Sequence, residues 1–128
     1  MACDIAVEVL AHFLRVVVTG DNSPDTLRAY TSAVPLACLK HDQWRVLVVV
    51  RLSGPEMPMM DVYKGVSTGS DDAAHLNMRI AWVDEMPERG ADNMRLAENI
   101  ARSRGIVVKT FRDESLAARW LVSDESAD

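Results

Sequence analysis

The 128-residue chain has no apolar run approaching the roughly 20 residues that cross a bilayer. Its longest apolar stretch lies around Leu47 to Val50. It does not open on a basic segment followed by an apolar one, so neither a membrane span nor a secretory leader is expected, and a cytoplasmic location is the default. Only two cysteines occur, Cys3 and Cys38, which suggests no disulfide framework and fits reduced thiols. Positive charge is also short. Fourteen Lys and Arg against 19 Asp and Glu leave a formal charge of -5, which disfavours nonspecific DNA or RNA binding, because the phosphate backbone rewards clustered Lys and Arg. No G-x-G-x-x-G or Walker-type pattern occurs, and no cofactor is expected.

What is present reads as one soluble α/β domain over residues 1–122, followed by a polar, acidic tail, 123–128. Apolar residues make up 48% and charged residues 26%, ordinary for a globular protein. A chain of this size buries roughly 65 to 70% of its unfolded surface and needs no metal or disulfide to fold. The last third is the most informative. Arg79 to Val83, a helix-like stretch, Ile106 to Phe111 and Ala117 to Leu121 read as strand, helix, strand, helix, which demands a right-handed parallel crossover.

Earlier in the chain, Ile5, Val7 and Val9 alternate with Ala6 and Glu8 as a half-buried strand does, and Ile5 to Val18 reads as a hairpin turning near Ala11-His12. Ser23-Pro24 supplies an N-cap and a proline at the first helical position. The stripe Leu27, Tyr30, Val34 and Cys38 continues that helix, which Pro35 is expected to kink or end. Trp44 to Arg51, with five apolar residues in a row, is the expected central strand. A short helix over Met59 to Val66 and a loop over Ser67 to Asp72 follow. The third helix, after Gly90, is read with Asp92 as N-cap and Gly105 as its stop. Asp113 caps a final helix that buries Leu116, Trp120 and Leu121.

Gly20 before a helix, the strand Arg45 to Arg51 ending in Leu52-Ser53-Gly54, the strand at Ile80-Ala81, and Arg104-Gly105 followed by Val107, Phe111, Asp113, Ala117 and Trp120-Leu121 form a pattern over most of the chain. It resembles the STAS superfamily (sulfate transporters and anti-sigma-factor antagonists), in its SpoIIAA-like branch of small stand-alone bacterial proteins. The resemblance implies a mixed four- or five-stranded sheet with helices mainly on one face, and protein-protein regulation instead of catalysis. In the phosphorylated antagonists an acidic residue precedes Leu-Ser-Gly, and a Ser or Thr follows an Asp at the start of the next helix. This chain has Arg51 before Leu52 and Val62 after Asp61, so the phosphate switch of that family cannot operate in its usual way. Ser53, Tyr63 and Ser67 are nearby hydroxyls, with none singled out.

Gly65-Val66-Ser67-Thr68-Gly69 matches the G-x-S-x-G of a nucleophile elbow, with Asp71, Asp72 and His75 close behind. The elbow needs a buried strand before the Ser and triad partners from separate loops, so a solvated loop is the expected reading and an esterase the weakest. Cys38 with His41, and Asp72 with His75, have spacings that suit two ligands on one helix face. Zinc needs three or four, and His12 is the only other imidazole. Arg95, Arg102, Arg104, Lys109 and Arg112 gather near the third helix, read as a solvated charged face. Met57, Met59 and Met60 either fill the core beneath a short helix or line an adaptable apolar surface.

The leading expectation is a noncatalytic STAS-like module that binds a protein partner, with a homodimer also in view. Its candidate surface is Ser53, Met57, Met59, Met60, Asp61, Val62 and Tyr63. The alternative is a carrier or sensor of a small apolar or lipid-like ligand at Met57 to Met60.

Overall fold

Strands keep chain order, β1-β2-β3-β4-β5, across one five-stranded sheet in the computed structural model of this chain. The structure describes residues 3–55, 57–73, 76–84 and 91–123. β1 (Cys3–Val9) pairs antiparallel with β2 (Leu14–Asp21). From there β2, β3 (Arg45–Ser53), β4 (Arg79–Asp84) and β5 (Val107–Phe111) run parallel. Each parallel step returns through a helix, α1 (Pro24–His41), α2 (Met59–Ala73) and α3 (Ala91–Ser103), and α4 (Glu114–Val122) follows β5. The chain is therefore α/β with a mixed sheet, five strands being the larger of the two numbers expected.

The strand order explains the layering. Three successive right-handed crossovers that all advance in one direction put α1, α2 and α3 on the same face. There they cover Leu14, Val16, Val18, Val46, Val48 and Val50. The alternate residues of the same strands, Leu47, Val49, Ala81 and Val83, meet Ala117, Trp120 and Leu121 of α4. Val46 to Val50 are all buried, which is why this run shows no alternation in sequence.

Local signals set the ends. Ser23 accepts a hydrogen bond from Thr26 N and opens α1 with Pro24 in its first turn. Gly105 has φ +87°, with Ile106 N donating to Ala101 O and Gly105 N to Arg102 O, a Schellman close for α3. Asp113 Oδ1 accepts from Leu116 N at 3.1 Å and opens α4.

Four expectations need correction. Pro35 does not end α1, which runs on to His41 because Ala37 and Cys38, beyond the proline, are buried in the core; tertiary packing outweighs the local cost. α2 does not stop at Val66, and Ser67 is no part of a loop: the helix continues to Ala73. Gly65 and Gly69 are one turn apart and face α1. A Cβ on Gly65 would lie 2.4 Å from Leu27 Cδ2, and one on Gly69 would lie 2.8 Å from Thr31 Cβ. Their bare Cα atoms let the two helices approach. Asp92 falls inside the first turn of α3 instead of preceding it; its side chain, like residues 124–128 of the tail, lies outside the described residues. Leu116 is 52% exposed, and Ala117 takes its place in the buried stripe with Trp120 and Leu121, the i, i+3, i+4 set of one helix face.

Among the described residues α4 is the one helix on its face, and it is held by charge at both ends. Arg15 on β2 forks onto Glu114, Nε to Oε2 at 2.7 Å and Nη2 to Oε1 at 3.2 Å, and also pairs with Glu8. At the other end Arg45 Nη1 donates to Leu121 O at 2.8 Å, while Arg79 Nη2 donates to Trp120 O at 2.8 Å. The Arg79 guanidinium also lies 3.8 Å from the Trp120 ring centroid. Cations therefore meet the carbonyl end of α4 and a carboxylate sits in its first turn, as its dipole favours.

Across the sheet, α3 closes the outer edge of β5. Glu98 Oε2 accepts from Thr110 N at 2.9 Å and from Thr110 Oγ1 at 2.8 Å. Arg102, paired with Glu98 one turn away, donates from Nε to Val108 O at 3.0 Å.

The side-chain hydrogen bonds from Arg15 hold the Glu114 carboxyl below the usual carboxylate range, burial opposing them. A carboxyl that gives up its proton more readily folded than unfolded contributes fully above the unfolded value of about 4.3 and loses its contribution as pH falls below it. Glu114→Gln should therefore cost about 1 kcal/mol at neutral pH. The difference from the parent should close as urea denaturation is repeated toward about pH 3. Gly69→Ala should destabilise by about 1 kcal/mol in the same assay, because overpacking against branched Thr31 outweighs the gain in helix propensity.

Candidate functional site

The seven residues singled out in the sequence run from the end of β3 into the second turn of α2, but they do not share one environment. Ser53, exposed, donates from Oγ to Gly20 O at 3.2 Å and accepts at its carbonyl from Asn22 N at 2.8 Å. Asn22 Nδ2 reaches Pro55 O at 2.8 Å, so the loops after β2 and β3 are stitched together. Met57 is buried, and its carbonyl accepts from Asn93 Nδ2 of α3 at 2.7 Å. Pro58 O then accepts from Asp61 N and Val62 N, which opens α2.

The methionines divide. Met57 joins the core with Val62, whereas Met59 and Met60 are 53% and 62% exposed. Tyr63, 48% exposed, lies one turn on, at i+4 from Met59 and i+3 from Met60, the spacing of neighbours on a helix surface. The first two turns of α2 thus present a small apolar patch whose back is anchored in the core. Asp61, half-buried, stands beside it in a cleft of about 140 Å³ between α1 and α2, with Arg28 and Lys64 on its walls.

Ser67 stands in the middle of α2 with its Oγ buried and without a hydrogen-bond partner among the described residues. Helix flanks it on both sides, so it does not sit on a strand-to-helix turn, and the two glycines of Gly65-Val66-Ser67-Thr68-Gly69 serve the approach to α1. The side chains of Asp71 and Asp72, and His75 as a whole, lie outside the described residues. Asp21, at the end of β2, accepts from Thr26 Oγ1 at 2.8 Å and Ser23 Oγ at 3.0 Å, which lower its pKa. Arg51 is exposed, its Nη2 3.9 Å from Glu114.

Cys38 is wholly buried, its Sγ 3.8 Å from Met78 Sδ, and burial pushes its thiol up to about 11. It does not face solvent with His41, and among the described residues no three metal-ligating side chains come together. The basic residues near α3 are not one free face. Arg102 is paired, Arg104 Nη1 donates to Ser103 Oγ, Arg112 Nη1 donates to Asp84 O, and Lys109 lies over the Phe111 ring.

One feature escaped the sequence reading. An apolar cavity of about 80 Å³ lies between the sheet and α1, α2 and α3, lined by Leu27, Tyr30, Val48, Val66, Trp82 and Ala97 among others. Trp82 meets Tyr30 edge-on at 6.3 Å, and its indole N-H is buried with no acceptor among the described residues. The signal was the run of small residues Gly69, Ala97 and Ala101, but their convergence above Trp82 depends on helix placement. None of Met59, Met60 or Tyr63 lines this space.

Exposure separates the candidate residues energetically. Met60→Asp and Tyr63→Ser should each change stability by less than about 0.5 kcal/mol, whereas Val62→Ala should cost about 2 kcal/mol, read from urea unfolding midpoints. No helix among the described residues is long and apolar enough to cross a membrane. No protein-family model matches this chain, and a comparison with curated proteins returns no match.

Proposed function

We propose that the chain is a noncatalytic regulatory module of the SpoIIAA-like STAS kind that works by binding another protein through the first two turns of α2. The observation that carries this reading is the exposure of Met59, Met60 and Tyr63 together, on a segment whose inner side is fixed by Met57 and Val62. Aromatic and methionine side chains are enriched in interface cores, and a rigid backing lowers the ordering cost of binding. The mixed sheet with three helices on one face supports the reading, since it agrees with the architecture that the resemblance implies. Val62, where the phosphorylated relatives carry a hydroxyl, is buried. Partner affinity is then set by packing at the patch and not by a phosphate at that position.

The cavity behind Trp82 favours a second reading, a carrier of a small apolar ligand, with the site under the helices and not at Met57 to Met60. Its volume is about half that of the roughly 150 Å³ apolar cavity known to admit benzene, so a correspondingly small ligand fits.

Native mass spectrometry of the protein purified gently from its source cytoplasm tests both readings. A heterocomplex that disappears in Met60→Asp/Tyr63→Asp, with the unfolding midpoint unchanged, is the expected result. A complex that persists in this variant would sink the α2 interface. A nonprotein adduct retained in the same variant and lost in Trp82→Phe would favour the carrier.

A further inference from the structure

The two edges of the sheet are built differently. At β5 the outward Thr110 N-H and Val108 C=O are taken by Glu98 and Arg102. At β1 the outward groups are open. Leu10 N donates to Phe13 O at 3.1 Å, which makes these residues a hydrogen-bonded pair at the mouth of the hairpin. Counting back along the register, Glu8, Ala6 and Asp4 turn their backbone groups to β2. Cys3, Ile5, Val7 and Val9 therefore turn theirs to the free side, where nothing among the described residues is bonded to them.

The side chains sharpen the contrast. Opposite Val18, Val16 and Leu14, the residues Ile5, Val7 and Val9 lie on the α1 side of the sheet. Ile5 packs against the core, but Val7 and Val9 are 41% and 59% exposed, and Leu10 is 40% exposed. No proline, lysine or bulge interrupts β1, although these are the usual guards of a free edge.

We infer that β1 is a dimerisation edge whose occupant is a second copy of this chain, paired antiparallel about a twofold axis through Val7. In this register Val7 faces its own copy and Ile5 faces Val9 of the second copy. Each of these pairs exchanges both backbone hydrogen bonds, and the apolar side chains line up on one face. Charge selects the register. An axis through Ala6 would also satisfy the backbone, but it would set Asp4 against Glu8 twice, an unfavourable like-charge pairing. The Val7 axis sets Glu8 against Ala6 and leaves it with Arg15. A second copy is the occupant because the edge complements itself, whereas the β5 edge of a neighbour has its Thr110 N-H and Val108 C=O already engaged.

Sedimentation velocity of the full chain across the micromolar range tests the inference, together with disulfide trapping. The parent should sediment as a dimer. Val7→Pro, which removes only an outward N-H, should weaken dimerisation about a hundredfold while the far-ultraviolet circular dichroism stays unchanged. In a Cys3→Ser background, Val7→Cys should form a covalent dimer on mild oxidation, since hydrogen-bonded antiparallel pairs hold Cα atoms about 5.5 Å apart, within disulfide reach. Val9→Cys in that background should not, because Val9 stands opposite Ile5. A parent that stays monomeric overturns the inference. So does a dimer, whether with itself or with a foreign strand, that fails to trap through Val7→Cys. Should Val7→Pro not fold, the trapping result decides.

Discussion

A strand buried on both faces must be covered twice, and β3 sets this requirement for the whole fold. Val46 to Val50 leave no face of the central strand able to meet water, so every stable arrangement of the chain needs apolar cover above and below it. Three crossover helices provide that cover on one side as a direct result of the strand order. The other side has, among the described residues, a single helix of nine residues, α4.

Electrostatics at the ends of α4 is the answer to that imbalance. So short a helix is marginal alone, and its buried stripe is only Ala117, Trp120 and Leu121. Arg45 and Arg79, side by side on β3 and β4, reach its last carbonyls, and Arg15 holds its first turn through Glu114. The same strands that require the cover therefore carry the cations that fasten it. Arg79 does so twice, through hydrogen bonds and through the face of Trp120.

Much of this was legible in the sequence wherever the signal was local. Ser23-Pro24, Gly105 and Asp113 mark helix ends through their own hydrogen bonds or dihedral freedom, and the Val46 to Val50 run declares its own burial. Legibility failed where one element answered to another. The loop expected over Ser67 to Asp72 is helix, and Gly65 and Gly69 lie against α1. Pro35 is tolerated because residues beyond it are buried. Met57, Met59 and Met60 are chemically alike, and only the turn at Pro58 decides which one enters the core. The sequence therefore singles out a segment, while its division into a buried anchor and exposed side chains appears only in the structure. The cavity behind Trp82 was not read, since it is a space between the sheet and three helices that small residues leave open only once the helices are placed.

The clamp that Glu98 and Arg102 place on β5 bears on how far this protein can assemble. Open-ended growth of a sheet needs two reactive edges on every unit, one to offer and one to receive, and a head-to-tail contact that does not close makes a fibre. At β5 the Thr110 N-H and the Val108 C=O are already engaged by α3 side chains, so that edge has less to offer a second strand than β1 has. A contact made at β1 then meets a blunted edge at β5, and two side chains of α3 act against fibrous growth.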